Sequence, residues 1–97
     1  MPLEETEYKV LLALQRNQDA LPVMDLIESA KISSGNSVQR AVALLINRGL
    51  IYDEKEEAFP RRRLIKLTVL GRKVADKLLE AERYIEEAER HSKSVST

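Results

Sequence analysis

The sequence predicts a mainly helical α+β fold: three short helices, a two-stranded hairpin and a long final helix. Three observations carry this. Apolar residues recur with a 3.6-residue period in three segments before residue 50. A β-prone stretch then doubles back around a polar tip between residues 50 and 67. The rest of the chain reads as a helix whose apolar positions are spaced 4, 3, 4 and 3 residues apart, a short heptad seam. With 97 residues, 43 % of them hydrophobic, the chain has material for one domain and a projecting element. A core of that size is modest, and partner surface would add to it.

The first helix spans residues 4–15, where Tyr8, Leu11, Leu12 and Gln15 share a face that Leu14 broadens. Asn17-Gln18-Asp19 is a polar turn. Pro22 suits the first turn of a second helix ending near Ala30, with Leu26, Ile27 and Ala30 inward and Ile32 tucked in behind. Ser33-Ser34-Gly35-Asn36-Ser37 is a break followed by a start, with Ser34 as N-cap of a third helix from Asn36 to Arg48. Val38, Ala41, Val42, Leu45 and Ile46 face inward on that helix, and Gly49 stops it. Leu50-Ile51-Tyr52 is a short strand, residues 53–60 are the hairpin tip, and residues 61–67 return. Leu64, Ile65 and Leu67 are apolar on the return strand, with Arg63 and Lys66 facing out. Thr68 caps the last helix, from Val69 to Arg90, about 33 Å long at 1.5 Å per residue. Gly71 weakens its first turns by about 1 kcal/mol relative to Ala, which a close approach to another backbone or a small kink explains. Val74, Leu78, Ala81, Ile85 and Ala88 form the seam, widened by Leu70, Leu79 and Tyr84. Residues 92–97 read as a frayed tail.

Net charge is zero, from 16 basic and 16 acidic residues, but the charge is unevenly placed. Residues 1–30 carry −4, residues 31–52 carry +3 with no acid, residues 53–60 carry −3, residues 61–73 carry +6 with no acid, and residues 74–97 carry −2. Two basic blocks therefore flank a short acidic one.

Three helices followed by a hairpin is the winged helix-turn-helix layout. Residues 4–68 make up that domain, and residues 69–91 the long C-terminal helix. A helix bearing small and polar outward groups fits the roughly 12 Å major groove of duplex DNA. The outward set is Asn36, Ser37, Gln39, Arg40, Ala43 and Asn47. Gln and Asn pair with adenine and Arg with guanine, while Ser37 and the helix N-terminus donate to phosphate. Arg61, Arg62, Arg63 and Lys66 arm the wing for adjacent phosphates or the minor groove. Strand alternation puts Arg61 and Arg63 on one face and Arg62 on the other, which favours the first two as contacts. The acids Asp53, Glu54, Glu56 and Glu57 either point to solvent or pair in cis with the arginines and lower affinity. A 22-residue helix overshoots a three-helix body, so Leu70, Val74, Leu78, Ala81, Tyr84, Ile85 and Ala88 are expected at a homodimer interface. A two-fold dimer would set two recognition helices on half-sites about 34 Å apart.

Gly49-Leu50-Ile51, the acidic hairpin, and Arg62-Arg63-Leu64-Ile65-Lys66-Leu67-Thr68-Val69-Leu70-Gly71-Arg72 resemble the wing and following helix of the MarR family and its small archaeal winged-helix relatives. Ile32-Ser33-Ser34-Gly35-Asn36-Ser37-Val38-Gln39-Arg40-Ala41-Val42 resembles the turn and recognition helix of the same group. The similarity covers roughly residues 5–75, and its Leu-Thr-x-x-Gly-Arg piece is the more specific part. The resemblance implies a dimeric transcriptional regulator whose third helix enters the major groove and whose Arg61 or Arg62 reaches the minor groove. Typical members carry further helices at both ends, which form the dimer platform and a pocket for phenolic effectors. Here dimerisation is left to the final helix, as in the short archaeal proteins.

Other functions find little support. There is no Cys, so disulfides and thiolate–metal sites are excluded, and His91 is the only His. No metal, cofactor or catalytic residue is expected. No carboxylate pair sits in an apolar stretch that would tune its pKa, and three scattered glycines make no phosphate loop. Glu82, Glu86 and Glu89 read as a solvated helix face, and Tyr52 and Phe59 as wedges or stacking groups or, more commonly for such residues, as hairpin packing. The longest apolar run is too short to span a membrane, and the first residues lack signal-peptide features. A cytoplasmic, nucleoid-associated protein is expected. A nonspecific architectural DNA-binding protein and a winged-helix protein–protein adaptor are the alternatives. A small-molecule effector is not expected but stays open.

Overall fold

A computed structural model describes residues 3–32 and 34–95. The first helix, α1 (Glu5–Arg16), begins where the Glu4 N–H donates to the Glu7 carboxylate at 3.3 Å. It is buried on more than one face: Val10, Leu11, Leu12, Ala13 and Leu14 are all in the core. The reason is its central position, packed by three helices and the sheet. The left-handed residues Gln18 and Asp19 then turn the chain into a three-residue strand, β1 (Ala20–Pro22).

This strand is absent from the sequence reading, which has only a two-stranded wing. Three residues carry no periodic signal, and the strand exists because a distant partner pairs with it. That partner is β3 (Arg63–Leu67), with Leu21 opposite Ile65. β3 also pairs antiparallel with β2 (Ile51–Lys55), from Ile51 opposite Leu67 to Lys55 opposite Arg63. The sheet order is β1-β3-β2, so Pro22 ends an edge strand, where its missing N–H costs no ladder bond.

Pro22 precedes α2 (Val23–Ala30), whose Leu26 is fully buried. The next helix, α3 (Gly35–Asn47), starts as expected at Ser34, whose Oγ accepts the Ser37 N–H at 3.3 Å. Val38, Ala41, Val42 and Leu45 bury its inner stripe. Gly49 ends the run with φ of 75°, where a side chain would be strained.

Thr68 links the wing to α4 (Val69–Val95) through two hydrogen bonds. Its hydroxyl donates to the Gly49 carbonyl at 2.7 Å and accepts the Gly71 N–H at 2.9 Å. Gly71 answers its own puzzle: a Cβ there would lie 1.7 Å from the Leu50 carbonyl oxygen. Close backbone approach, not a kink, is the reason for the glycine.

α4 has 27 residues and runs past the expected end at Arg90; of the expected frayed tail, residues 92–95 are helical and residues 96–97 lie outside the described residues. Its first half packs on α1. Ala75 and Leu78 are buried, Val74 and Leu79 pack beside them, and Gln15 donates to Asp76 at 3.3 Å. Leu78 thus belongs to this chain's own core and is unavailable to the dimer seam for which the sequence reading had it. Ala75, absent from that seam, is the core residue one step round the helix. From Arg83 to Ser92 every residue is exposed, so α4 leaves the body, and the Cα trace measures 56 × 25 × 21 Å.

Candidate nucleic-acid interface

The outer face of α3 is polar and accessible. Asn36, Gln39, Arg40, Ala43 and Asn47 are exposed, and Ser37 is half-buried. No acidic residue lies on α3. A small hollow beside Arg40, lined by Glu4, Thr6, Ser37, Ala41 and Leu44, separates this face from the start of α1. The helix is fixed at both ends, by the Ser34 cap and by an ion pair beyond its last turn. There Arg48 Nε lies 3.2 Å from Glu7 Oε2, and Glu7 is only 1 % exposed. Arg48 is therefore a structural cation holding α3 to α1. Sequence reading missed this pair. The usable signal was the Glu4-x-x-Glu7 spacing, which turns Glu7 back toward the helix start.

The wing places its basic and acidic residues on facing strands. Arg63 Nε meets Asp53 at 2.8 Å, Lys66 Nζ meets Glu54 at 2.8 Å, and Arg62 Nε meets Glu56 at 2.6 Å. The first two pairs are diagonal across the β2–β3 ladder: Asp53 stands opposite Ile65, and Glu54 opposite Leu64. The hydrogen bond to Glu54, reinforced by its charge, raises the Lys66 ammonium above its ordinary value. Glu56 acts on the Arg62 guanidinium in the same way. Of the two readings the sequence offers for the acids, pairing in cis holds for Asp53, Glu54 and Glu56, while Glu57 is exposed without an ion pair among the described residues.

Arg61 differs from its neighbours. Among the described residues it carries no ion pair. It is left-handed, with φ of 57°, and its N–H donates to the Ala58 carbonyl at 2.8 Å. Strand alternation does not apply here, because β3 starts only at Arg63 and Arg61 and Arg62 belong to the tip. Arg63, favoured by that alternation, is instead paired with Asp53, and Arg61 is the unpaired guanidinium.

On α4 the remaining residues of the expected seam, other than Val74, which packs against the core, lie open. Leu70 is 61 % exposed, Tyr84 63 % and Ile85 57 %, with Ala81 and Ala88 exposed between them and Val74 half-buried. Where α1 meets α4 and the end of α2, a concavity of about 320 Å³ is lined by Tyr8, Lys9, Leu12, Arg16, Lys31 and Glu82 among others. The Tyr8 hydroxyl donates to Glu82 at 3.0 Å, and Arg16 pairs with the same carboxylate. Burial, then the bond to Glu82, raises the Tyr8 phenol above its usual value. Glu82 is thus half-buried and engaged with α1, not part of a solvated face with Glu86 and Glu89.

No protein-family profile and no curated protein sequence matches the chain. Solved structures do, and they share the winged helix-turn-helix architecture of MarR-family regulators. A MarR-family transcriptional regulator from Silicibacter pomeroyi superposes with a TM-score of 0.75 at 27 % identity, over 89 % of this chain and 56 % of its own. The Bordetella bronchiseptica protein BpsR, whose DNA binding is regulated by 6-hydroxynicotinic acid, superposes with 0.74 at 26 % identity, over 89 % and 64 %. This chain thus spans less than two thirds of the length of either. A DNA-binding protein from Sulfolobus solfataricus has nearly the same extent: 92 % of this chain covers 90 % of that one, with a TM-score of 0.71. At 18 % identity that match speaks to the fold alone.

Proposed function

We propose that this winged helix is a non-catalytic transcriptional regulator that binds duplex DNA as a homodimer and reads sequence through α3. One observation carries the reading: within a MarR-type fold, the outer face of α3 is accessible, free of acids and lined by Asn36, Gln39, Arg40 and Asn47. These are the side chains that discriminate base edges. Arg61 supplies the wing's unpaired arginine, and Arg62, Arg63 and Lys66 supply further charge once their carboxylate partners are displaced.

The homodimer reading rests on α4. Leu70, Ala81, Tyr84, Ile85 and Ala88 are apolar and uncovered, on a helix that extends beyond its own core. A second copy of α4 covers them in an isologous contact and brings two recognition helices to one duplex. Zero net charge favours this specific regulator over an architectural coating protein. A regulator of this kind acts at the chromosome, and no described helix is long and apolar enough to cross a membrane.

A secondary reading concerns an effector. BpsR responds to an aromatic carboxylate, and the concavity beside Tyr8 is rimmed by Lys9, Arg16 and Lys31. A carboxylate entering it competes with Glu82 for Arg16. Titration with 6-hydroxynicotinic acid, followed by thermal shift, tests that reading; an unchanged melting curve at millimolar ligand rejects it.

The test of the main reading is fluorescence anisotropy on a random duplex across a salt series. Binding that weakens linearly in log[salt] supports a phosphate-contacting protein, since counterions are released. No binding at 50 mM salt would exclude DNA and leave the protein–protein adaptor.

A further inference from the structure

The wing tip carries a large apolar side chain that the fold does not use. Phe59 is 94 % exposed, the most exposed of the large hydrophobic residues described. Of the roles the sequence allows it, wedge, stacking group or the commoner hairpin packing, the exposure excludes the last. The residue is nevertheless held in place. The Glu56 N–H donates to the Arg62 carbonyl at 3.0 Å, closing the tip. Inside that closure the Arg61 N–H donates to the Ala58 carbonyl at 2.8 Å, so Ala58-Phe59-Pro60-Arg61 is a tight turn with Phe59 and Pro60 at its corner. The turn presents the phenyl ring outward, two residues from the one unpaired wing arginine.

Charge alone is a weak grip for this wing. Residues 53–66 hold five basic and four acidic residues, and three of the five cations are paired in cis. Phosphate attraction is largely offset, so an apolar contact is the stronger contribution the tip has to offer. Apolar side chains at such positions unstack a base step from the minor-groove side and kink the duplex. An arginine alongside suits the negative potential of a narrow minor groove.

Resting on the DNA-binding reading above, we infer that Phe59 inserts into the minor groove beside the α3 site, wedging a base step with Arg61 on the flanking phosphates or groove floor. Flexible pyrimidine–purine steps yield most readily, so the wing adds a preference for TA or CA steps outside the bases that α3 reads. Two wings of a dimer bend both flanks of one site.

The experiment uses the full chain and end-labelled duplexes selected by the wild-type protein, with energy transfer reporting the bend and anisotropy reporting affinity. Phe59→Ala is expected to bind about tenfold more weakly, the scale of losing one base-stacking aromatic. It is also expected to lose the bend and leave the slope of log K against log[salt] unchanged. Phe59→Leu keeps an apolar wedge and is expected to keep most of the bend. Circular dichroism should show all three proteins equally folded, because the ring packs on nothing in the chain. If Phe59→Ala binds and bends the duplex as wild type does, the inference is overturned while DNA binding stands. A Phe59→Ala loss that appears as a shallower salt slope also overturns it, because the ring would then be serving the cations. Absence of duplex binding by wild type overturns both this inference and the DNA-binding reading, and directs attention to a protein partner at the tip.

Discussion

Replacing Gly71 by alanine separates two physical effects of opposite sign. Helix propensity alone makes Gly71→Ala stabilising by about 1 kcal/mol, because α4 continues on both sides of it. Packing says otherwise. The added Cβ would sit 1.7 Å from the Leu50 carbonyl oxygen, so α4 must retreat by at least 1.3 Å to reach 3.0 Å. That movement pulls on the Thr68 N–H bond to Leu50 (3.1 Å) and the Thr68 hydroxyl bond to Gly49 (2.7 Å). It also lifts Ala75 and Leu78 out of the core they complete. Overpacking of this kind costs about 1–3 kcal/mol, and each weakened hydrogen bond about 1 kcal/mol. The net expectation is a loss of about 2–4 kcal/mol, or a fall in Tm of at least about 10 °C for a domain of this size. Urea and thermal unfolding followed by circular dichroism, at one fixed chain concentration because the proposed dimer would make stability concentration-dependent, give the value. Gly35→Ala is the control: its Cβ meets Ile27 Cδ1 at 3.6 Å, an ordinary contact, and stability should stay within about 0.5 kcal/mol. A Gly71→Ala protein as stable as the parent would refute the close-approach reasoning.

Four further outcomes follow from the same geometry. Gln39→Ala and Arg40→Ala should weaken binding to a selected site and relax its base preference, while random-duplex affinity changes little; equal losses on both would remove α3 as the reading element. Neutralising Asp53, Glu54 and Glu56 together (Asp53→Asn, Glu54→Gln, Glu56→Gln) should free Arg63, Lys66 and Arg62 for phosphate. Random-duplex affinity should then rise and the salt slope steepen by up to roughly 2.7, about 0.9 for each freed cation that meets a phosphate; an unchanged slope would show those cations lie off the DNA. Ile85→Glu places a charge on the uncovered face of α4 and should give a monomer by light scattering with the helical signal retained; a persisting dimer would move the interface elsewhere. Tyr8→Phe tests the contact with Glu82. Because the folded state holds the Tyr8 phenol above its ordinary value of 10.0, its contribution is complete below that pH and is lost as pH rises beyond it. The Phe variant should be less stable at pH 8 yet lose less stability between pH 8 and pH 11; a parallel decline would assign the alkaline effect to other groups.

Local signals were legible in the sequence where one short stretch decides the outcome. Ser34 as a cap, Gly49 as a stop and Thr68 as the start of α4 each follow from one side chain and its immediate backbone. The accessible face of α3 follows likewise from a 3.6-residue period. What was hidden depends on distant partners. β1 exists only through its ladder with β3, 44 residues away between Leu21 and Ile65. The α4 seam was read a step away from the stripe that packs on α1, because a heptad pattern cannot say whether an apolar residue faces its own core or a second copy; Leu78 went to the core and Ile85 stayed outside. The wing acids were visible as a block, but their pairing with particular arginines depends on strand register, and Arg61 stands apart because the strand begins after it. Phe59 projects although hairpin packing is the commoner role of such a residue, because no local pattern distinguishes an aromatic that packs from one that projects.

The most direct test is selection from a pool of random duplexes by the purified chain, with light scattering of the resulting complex. A dimeric regulator that reads DNA through α3 enriches an inverted repeat, with half-sites one helical turn or a multiple of it apart, and binds as two chains per duplex. Retention of duplexes without any enriched motif would contradict sequence reading by α3, and an enriched site bound by a single chain would contradict the dimer built on α4.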